Sequence, residues 1–470
     1  MIRRLVPIAL ASLCAVGALA PVAAHASHTQ ATSFEAPRDL LDPAQRETAF
    51  TDIAGFGVRS LRIVLYWKDV APNPKGTSKP TFDQADPSEY DWSKYDPAID
   101  EAAARGWSVI LTVSGPVPYW ATLARRDDRT RPSPEYFQRF MTAVGRHYGS
   151  KVETYSIWNE PNLPRFLLPQ YFKHQVASPA IYRKLWLAGY RGLQQAGIVD
   201  PQVLLGETEP RKTSVSPAPL LFLRGVLCLD SKYQPLDKNC AKLPVAGIAD
   251  HAYTTKQGPF FVPPNADDVT IGVLGRLVSA MRKFEAAGAI PKDTPIYLTE
   301  FGIQSVPDTI YGVSEQRQAE YQAISEYLAW QQPRVTHFSQ YLLRDDLPLT
   351  GVPESEKYGG FESGLEYADG KKKKSFRGFP VPLAALRSAD GEKVTLWGLA
   401  RPADGPTKVS VWAGTGAMKP YATYQTDSHG YFTATVPYVK GRDYRLQWTS
   451  PEGRLYRGVI TRVYERPKSS

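Results

Sequence analysis

The feature that most constrains the fold is an alternation of two kinds of segment between residues 30 and 345. Short, apolar, β-rich stretches occur eight times, at 31–35, 60–67, 108–114, 152–158, 202–207, 245–253, 295–300 and 335–342. Helix-like segments lie between them, among others at 97–105, 134–148, 180–196, 269–287 and 314–331. Strands joined through helices run parallel, and parallel strands are covered on both faces, so they read as mostly buried runs. Eight such units in about 350 residues predict an α/β fold, a closed (β/α)8 barrel with decorated loops. No internal sequence repeat is visible.

In such a barrel the strand C-termini carry the chemistry. Two glutamates stand there. Glu160, in Trp158-Asn159-Glu160-Pro161, closes the fourth stretch, and Glu300, in Thr299-Glu300-Phe301-Gly302, closes the seventh. Each precedes a turn-forming residue, Pro161 or Gly302. Two carboxylates on two strand ends suit cleavage of a glycosidic bond: one protonates the leaving oxygen and the other attacks the anomeric carbon. Retention of configuration requires the carboxyls to face each other about 5–5.5 Å apart, whereas about 6.5–9.5 Å indicates inversion. Without that chemistry, both would be ordinary carboxylates stabilised by a helix dipole.

The pair of tetrapeptides, in this order and at this separation, resembles clan A of the glycoside hydrolases, which includes families 5 and 39. The resemblance implies a TIM barrel, an acid/base at Glu160 on strand 4 and a nucleophile at Glu300 on strand 7. It implies that Asn159 binds the sugar 2-hydroxyl. Arg62-Ile63-Val64-Leu65-Tyr66-Trp67 matches the Arg-x-x-x-x-Trp pattern of family 5, whose arginine supports the nucleophile; Arg62 could equally be a structural ion pair inside the barrel. His251 and Tyr253 match the His-x-Tyr of family 5, in which the tyrosine contacts the nucleophile. Trp67, Trp120 and Tyr341 are candidate sugar platforms or packing residues. The chain departs from family 5 where strand 3 ends without a histidine and strand 8 without a tryptophan. Pro118-Tyr119-Trp120 looks nearer to family 39. The resemblance covers roughly residues 35 to 385 and leaves the family within the clan open.

Residues 1–26 read as a signal peptide: a basic start at Arg3 and Arg4, an apolar stretch, and a small-x-small site at Ala24-His25-Ala26. A membrane anchor is the rival reading, opposed by Pro7, Pro21 and the short apolar core. No later stretch is long and apolar enough to span a bilayer. Loss of Arg3 and Arg4 lowers the formal charge from +9 to +7. A basic exported protein could dwell near anionic cell-wall polymers, although solubility alone explains the charge. The run Lys371-Lys372-Lys373-Lys374 follows the turn pair Asp369-Gly370 and reads as a solvated loop. It lacks the interleaved aromatics of a nucleic-acid surface.

Of three cysteines, Cys14 leaves with the signal, and Cys228 and Cys240 are expected to form one disulfide in an oxidising compartment. No metal-ligand spacing and no glycine-rich phosphate loop is present, so neither metal nor organic cofactor is expected. The catalytic barrel is expected over 27–385 and a small immunoglobulin-like β-sandwich over 386–470, where short alternating strands follow one another without helices. Trp397, Trp412 and Trp448 there are core residues or, alternatively, a carbohydrate-binding surface.

These readings combine into a secreted or cell-wall-associated retaining glycosidase that acts on β-linked or equatorially disposed bonds of a carbohydrate. Transglycosylation would use the same residues. A silent carbohydrate-binding protein is the alternative of another class. The sugar, endo or exo action and the oligomeric state are not legible.

Overall fold

The computed structural model describes residues 30–466 apart from 79, 238 and 239. The expected signal peptide lies outside the described residues. Eight parallel strands close into a barrel: β1 Ala31–Glu35, β2 Ser60–Tyr66, β3 Ser108–Ser114, β4 Thr154–Ile157, β5 Gln202–Thr208, β6 Gly247–Asp250, β7 Ile296–Phe301 and β8 Val335–Tyr341. β1 pairs with both β2 and β8, which removes every free edge.

Around the strands run α1 Arg46–Gly55, α2 Asp96–Ala104, α3 Pro134–Tyr148, α4 Ser178–Gln195, α5 Pro219–Val226, α6 Leu274–Ala286 and α7 Glu315–Trp330. α3 shows how local chemistry sets an element. The Ser133 side chain accepts from Tyr136 N, Pro134 occupies the first turn, and Phe137, Phe140, Met141, Val144 and Tyr148 are buried on one stripe. α3 packs on α4 through Gly192, where a Cβ would meet Gln138 O at 2.4 Å. The helix-like segments named from the sequence do not include α1 or α5.

Alternation along β2 divides its side chains. Leu61, Ile63, Leu65 and the following Trp67 join the core between strands and helices. Arg62 is fully buried and points into the barrel. The interior core is small: Ile110, Leu204 and Ala249, with Tyr297 against them. Charged and polar side chains fill the layer above.

The C-terminal sandwich holds β9 Leu383–Arg387, β10 Lys393–Leu399, β11 Lys408–Gly414, β12 Lys419–Gln425, β13 Tyr431–Pro437, β14 Asp443–Thr449, β15 Leu455–Arg457 and β16 Tyr464–Glu465. Its two four-stranded sheets have the orders β13-β10-β9-β16 and β12-β11-β14-β15. β9 pairs with β10, so the sandwich begins at Leu383, slightly ahead of the expected boundary. Trp448 lies in the sandwich core. Trp397 is buried instead against Ile324, Tyr327 and Trp330 of α7. Both are therefore packing residues, while Trp412 is half-buried.

Polar contacts complete the junction. Arg401 donates from Nη2 to both Glu326 oxygens at 2.9 and 3.0 Å and from Nη1 to Thr32 Oγ1 at 2.6 Å. Arg462 and Tyr464 both donate to Glu320 on α7. The lysine run is exposed as expected at Lys371, Lys372 and Lys374, but not at Lys373. Lys373 is buried and donates to Asp345 Oδ1 at 2.7 Å and Ser305 Oγ at 2.9 Å, and a short helix starts at Lys374. The buried Asp345 carboxylate draws this one lysine inward. Cys228 and Cys240 are joined as a disulfide. Among the described residues no helix is long and apolar enough to cross a membrane.

Candidate active site

The C-terminal ends of the strands converge on one guanidinium. Arg62 donates from Nη1 to Glu300 Oε1 at 2.7 Å and to Glu35 Oε2. Its Nη2 donates to Glu207 Oε2 at 2.6 Å and to Asn159 Oδ1 at 2.7 Å. Its Nε reaches Thr112 Oγ1 and Glu207 Oε1, both at 3.1 Å. A buried cation needs this much compensation, because removing it from water costs several kcal/mol. Both readings of Arg62 therefore hold. It is a structural ion-pair centre, and it also touches Glu300.

Glu160 and Glu300 face each other across His251. The imidazole Nδ1 lies 3.0 Å from Glu160 Oε1 and 3.5 Å from Glu300 Oε2. One oxygen of each carboxylate and a His251 nitrogen all lie within 4.8 Å of one another. Tyr253 donates its hydroxyl to Glu300 Oε2 at 3.1 Å. The side chains of Glu160 and Glu300 keep 14% and 8% of their surface, enough for both to meet a ligand at the mouth.

The backbone aims these groups in unusual ways. Trp158 and Glu160 have φ of +74° and +38°, a region disfavoured for bulky side chains. The turn is held by Asn159 N donating to Ser114 Oγ and Glu160 N donating to Glu207 O, both at 3.0 Å. In β5 the register shifts after Gly206, whose φ is +116°, and Glu207 follows at +53°. A Cβ on Gly206 would meet Ala249 O at 2.4 Å. This bulge turns Glu207 toward Arg62. A second irregularity sets Leu298 opposite Phe338 but Phe301 opposite Gln340, which re-aims Glu300 in the same way.

Charge follows from this geometry. Burial alone would raise the Glu300 carboxyl, but His251, Arg62 and the Tyr253 hydroxyl outweigh it and hold it below the usual range. Burial pushes Glu35 up to about 8, against the opposing pull of Arg62 and with added repulsion from Glu300. Burial works against protonation of His251, yet Glu300 and Glu160 lift it to about 9. Near neutral pH, Glu300 is therefore ionised, Glu35 carries a proton, and His251 is cationic. Glu209, just beyond β5, is pushed up to about 7 by burial and then by Glu160.

Glu160, His251 and Glu300 have the spacing of a metal-ligand set. Both Glu300 oxygens already accept from Arg62 and Tyr253, and a dication would sit beside that guanidinium. The donor set fits a hydrogen-bonded carboxylate pair better than a metal.

Of the residues expected at the site, Arg62, Asn159, Glu160, His251, Tyr253 and Glu300 come together. Tyr341 is half-buried at the mouth, with its ring 6.4 Å from Tyr253 and 5.0 Å from Phe361. Trp67 and Trp120 must be corrected. Trp67 is fully buried and stacks on Phe140 at 4.8 Å, and Trp120 meets it edge-on at 5.7 Å. Both pack behind the strand ends and cannot platform a sugar. Arg62 points inward, so Trp67, five positions on, must point outward by strand alternation. The neighbouring Tyr66 is half-buried and stacks on Phe166 at 6.5 Å; the sequence reading passed over it. Glu35, Thr112, Glu207 and Glu209 were missed too. A buried arginine needs carboxylate partners, and Glu35 and Glu207 each stand at a strand end.

A scan against protein-family models finds no match, and a search of curated proteins finds none. Solved structures share the fold. A monomeric β-xylosidase from Caulobacter crescentus CB15 superposes with a TM-score of 0.51 at 17% identity, over 90% of this chain and 96% of that one. A GH39 enzyme from Xanthomonas axonopodis pv. citri gives 0.51 at 16%, over 89% and 93%. A family 39 glycoside hydrolase from the gut symbiont Bacteroides cellulosilyticus WH2 gives 0.51 at 15%, over 90% and 81%. At these identities the likeness establishes the barrel-plus-sandwich architecture.

Proposed function

We propose that this chain is a retaining glycoside hydrolase. The observation that carries the reading is the pair Glu160 and Glu300, with facing oxygens within 4.8 Å. So close an approach of two oxygens favours the separation of about 5–5.5 Å that suits direct attack by a carboxylate over the about 6.5–9.5 Å at which an inverting enzyme holds its water. Glu300 is the nucleophile. Arg62 and Tyr253 keep its charge and fix its two oxygens, so one lone pair can meet the anomeric carbon. Glu160 protonates the departing oxygen, and a covalent glycosyl-enzyme forms on Glu300. Glu160 then takes a proton from water, which attacks the same carbon and releases sugar with its original configuration. His251 bridges both carboxylates and offsets their repulsion. Asn159, held by Arg62 through its carbonyl oxygen, offers its amide to the sugar 2-hydroxyl.

The barrel is shared with enzymes named as β-xylosidase and family 39 glycosidases, which supports β-linked substrates and makes an aryl β-xyloside the first probe. The expected leader and the Cys228–Cys240 disulfide support action outside the cytoplasm. The test is a 2-deoxy-2-fluoro glycoside with a good leaving group. A retaining enzyme gains the mass of one sugar, and peptide mapping places it on Glu300. A product of inverted configuration by NMR, or no turnover across aryl glycosides, overturns the proposal.

A further inference from the structure

At the opposite end of the barrel, where α1 ends and the chain turns back toward β2, a groove of about 510 Å³ lies against the sandwich. Lys372, Arg377, Arg454 and Arg457 line it, together with the rings of Phe376 and Tyr456. Asp52 is the only acidic lining residue, and it is already engaged with Lys372 at 3.5 Å. The basic side chains lie along the rings: Lys372 Nζ is 3.8 Å from the centre of Phe376, and Arg454 is 4.8 Å from that of Tyr456. Arg377, Arg454 and Arg457 are exposed. Behind them Arg445 of β14 holds a buried Nε without a hydrogen-bond partner. The charges nearest to Arg445 are cations, Arg457 and Arg377, and after burial they press its ionisation downward.

This contrasts with the buried arginines Arg62 and Arg401, which each meet a carboxylate. The groove gathers like charges from the loop after β8, from the short helix Lys374–Gly378 and from β15 with the residue before it, and Arg445 of β14 stands behind them. Crowding like charges costs energy that a bound anion would offset. Guanidinium forks match carboxylate, sulfate or phosphate groups.

We infer that this groove binds an acidic stretch of a polysaccharide chain, on a surface separate from the Glu160–Glu300 site. The choice of a polysaccharide rests on the glycosidase reading; the anion preference rests on the groove alone. Affinity electrophoresis of the full chain tests it, with polygalacturonate or neutral xylan in the gel. The wild type should be retarded by polygalacturonate alone, less so as salt rises. The triple substitution Arg377→Gln, Arg454→Gln, Arg457→Gln should weaken that binding on the order of tenfold, as expected for three exposed pairs. Its melting temperature and aryl-glycoside turnover should match the wild type, and the corresponding triple lysine variant should recover binding in part. Glu300→Gln should be retarded like the wild type whether or not the chain hydrolyses glycosides, which separates failure of this inference from failure of the enzymatic one. Unchanged binding in the triple arginine-to-glutamine variant, no retardation at low salt, or tighter binding to duplex DNA or phosphatidylglycerol vesicles than to polygalacturonate would overturn it.

Discussion

The barrel mouth and the barrel–sandwich junction both take arginines out of water, and they balance them differently. At the junction the pairing is saturated. Arg401 meets one carboxylate, Glu326, and its remaining donors go to Thr32 Oγ1 and the Phe379 carbonyl. At the mouth one guanidinium faces three carboxyls, Glu35, Glu207 and Glu300, and a histidine stands between Glu300 and a fourth, Glu160. The junction's acid and base have no further role once paired. The mouth crowds four carboxyls around two cations, and the two that flank His251, Glu160 and Glu300, keep a face toward solvent. A buried network that is complete points to architecture; one that is crowded and left open on one side points to chemistry.

The largest effect that would break this contrast is loss of Glu300. Glu300→Ala should cut turnover of every substrate roughly 10⁵-fold, since no glycosyl-enzyme can form. Azide should restore some activity with inversion. If azide gave a retained product from this variant, the roles of the two glutamates would be reversed.

Glu160→Ala comes next and depends on the leaving group. Turnover of poorly activated substrates should fall on the order of 10³-fold, while a nitrophenyl glycoside should still glycosylate the enzyme in a stopped-flow burst. Azide should rescue this variant with retention. Equal losses for good and poor leaving groups would remove Glu160 from the acid/base role.

At the junction the expected sign is opposite. Arg401→Ala leaves Glu326 buried and unpaired and should cost about 3–5 kcal/mol of stability by denaturant titration, with kcat at low temperature close to wild type. A large drop in kcat without loss of stability would show that the two regions are not separable.

The smallest effect lies between them, in the loop after β8. Both Glu362 oxygens are buried without hydrogen-bond partners, and burial followed by Asp345, Asp308 and Asp346 pushes its carboxyl up from 4.5 to about 8. The folded value exceeds the unfolded one. Its contribution is therefore present below the unfolded value and is lost as pH rises through the folded one. Glu362→Gln should leave thermal stability unchanged near pH 4 and raise it by roughly 1–2 kcal/mol near pH 9. A variant equally destabilised at both pH values would mean that the carboxyl has a partner.

The sequence carried the barrel because parallel strands advertise themselves as continuous apolar runs, and β2, β3 and the two glutamates were placed from that signal. Glu207 stayed hidden because a bulge at Gly206 breaks the alternation by which inward residues are recognised. Trp67 was misplaced for the converse reason: β2 has no bulge, and alternation alone would have sent it outward. β12 was not seen because its residues are exposed or half-exposed throughout and leave no apolar face to read. Lys373 escaped because a run of four lysines looks solvated unless one knows that Asp345 lies folded beneath it.

The contact between Arg401 and Thr32 bears on how the barrel is held. Thr32 belongs to β1, the first strand of the barrel, and Tyr431 of the sandwich also reaches back to bond Gln30 beside it. β1 carries Glu35 and is the strand through which the barrel closes. The sandwich thus acts as a clasp on the strand that closes the barrel. A chain cut short before Arg401 still has Arg62 but lacks the clasp on the strand bearing one of that arginine's carboxyl partners. The sandwich thus holds, at a distance from the chemistry, one of the strands on which the mouth is built.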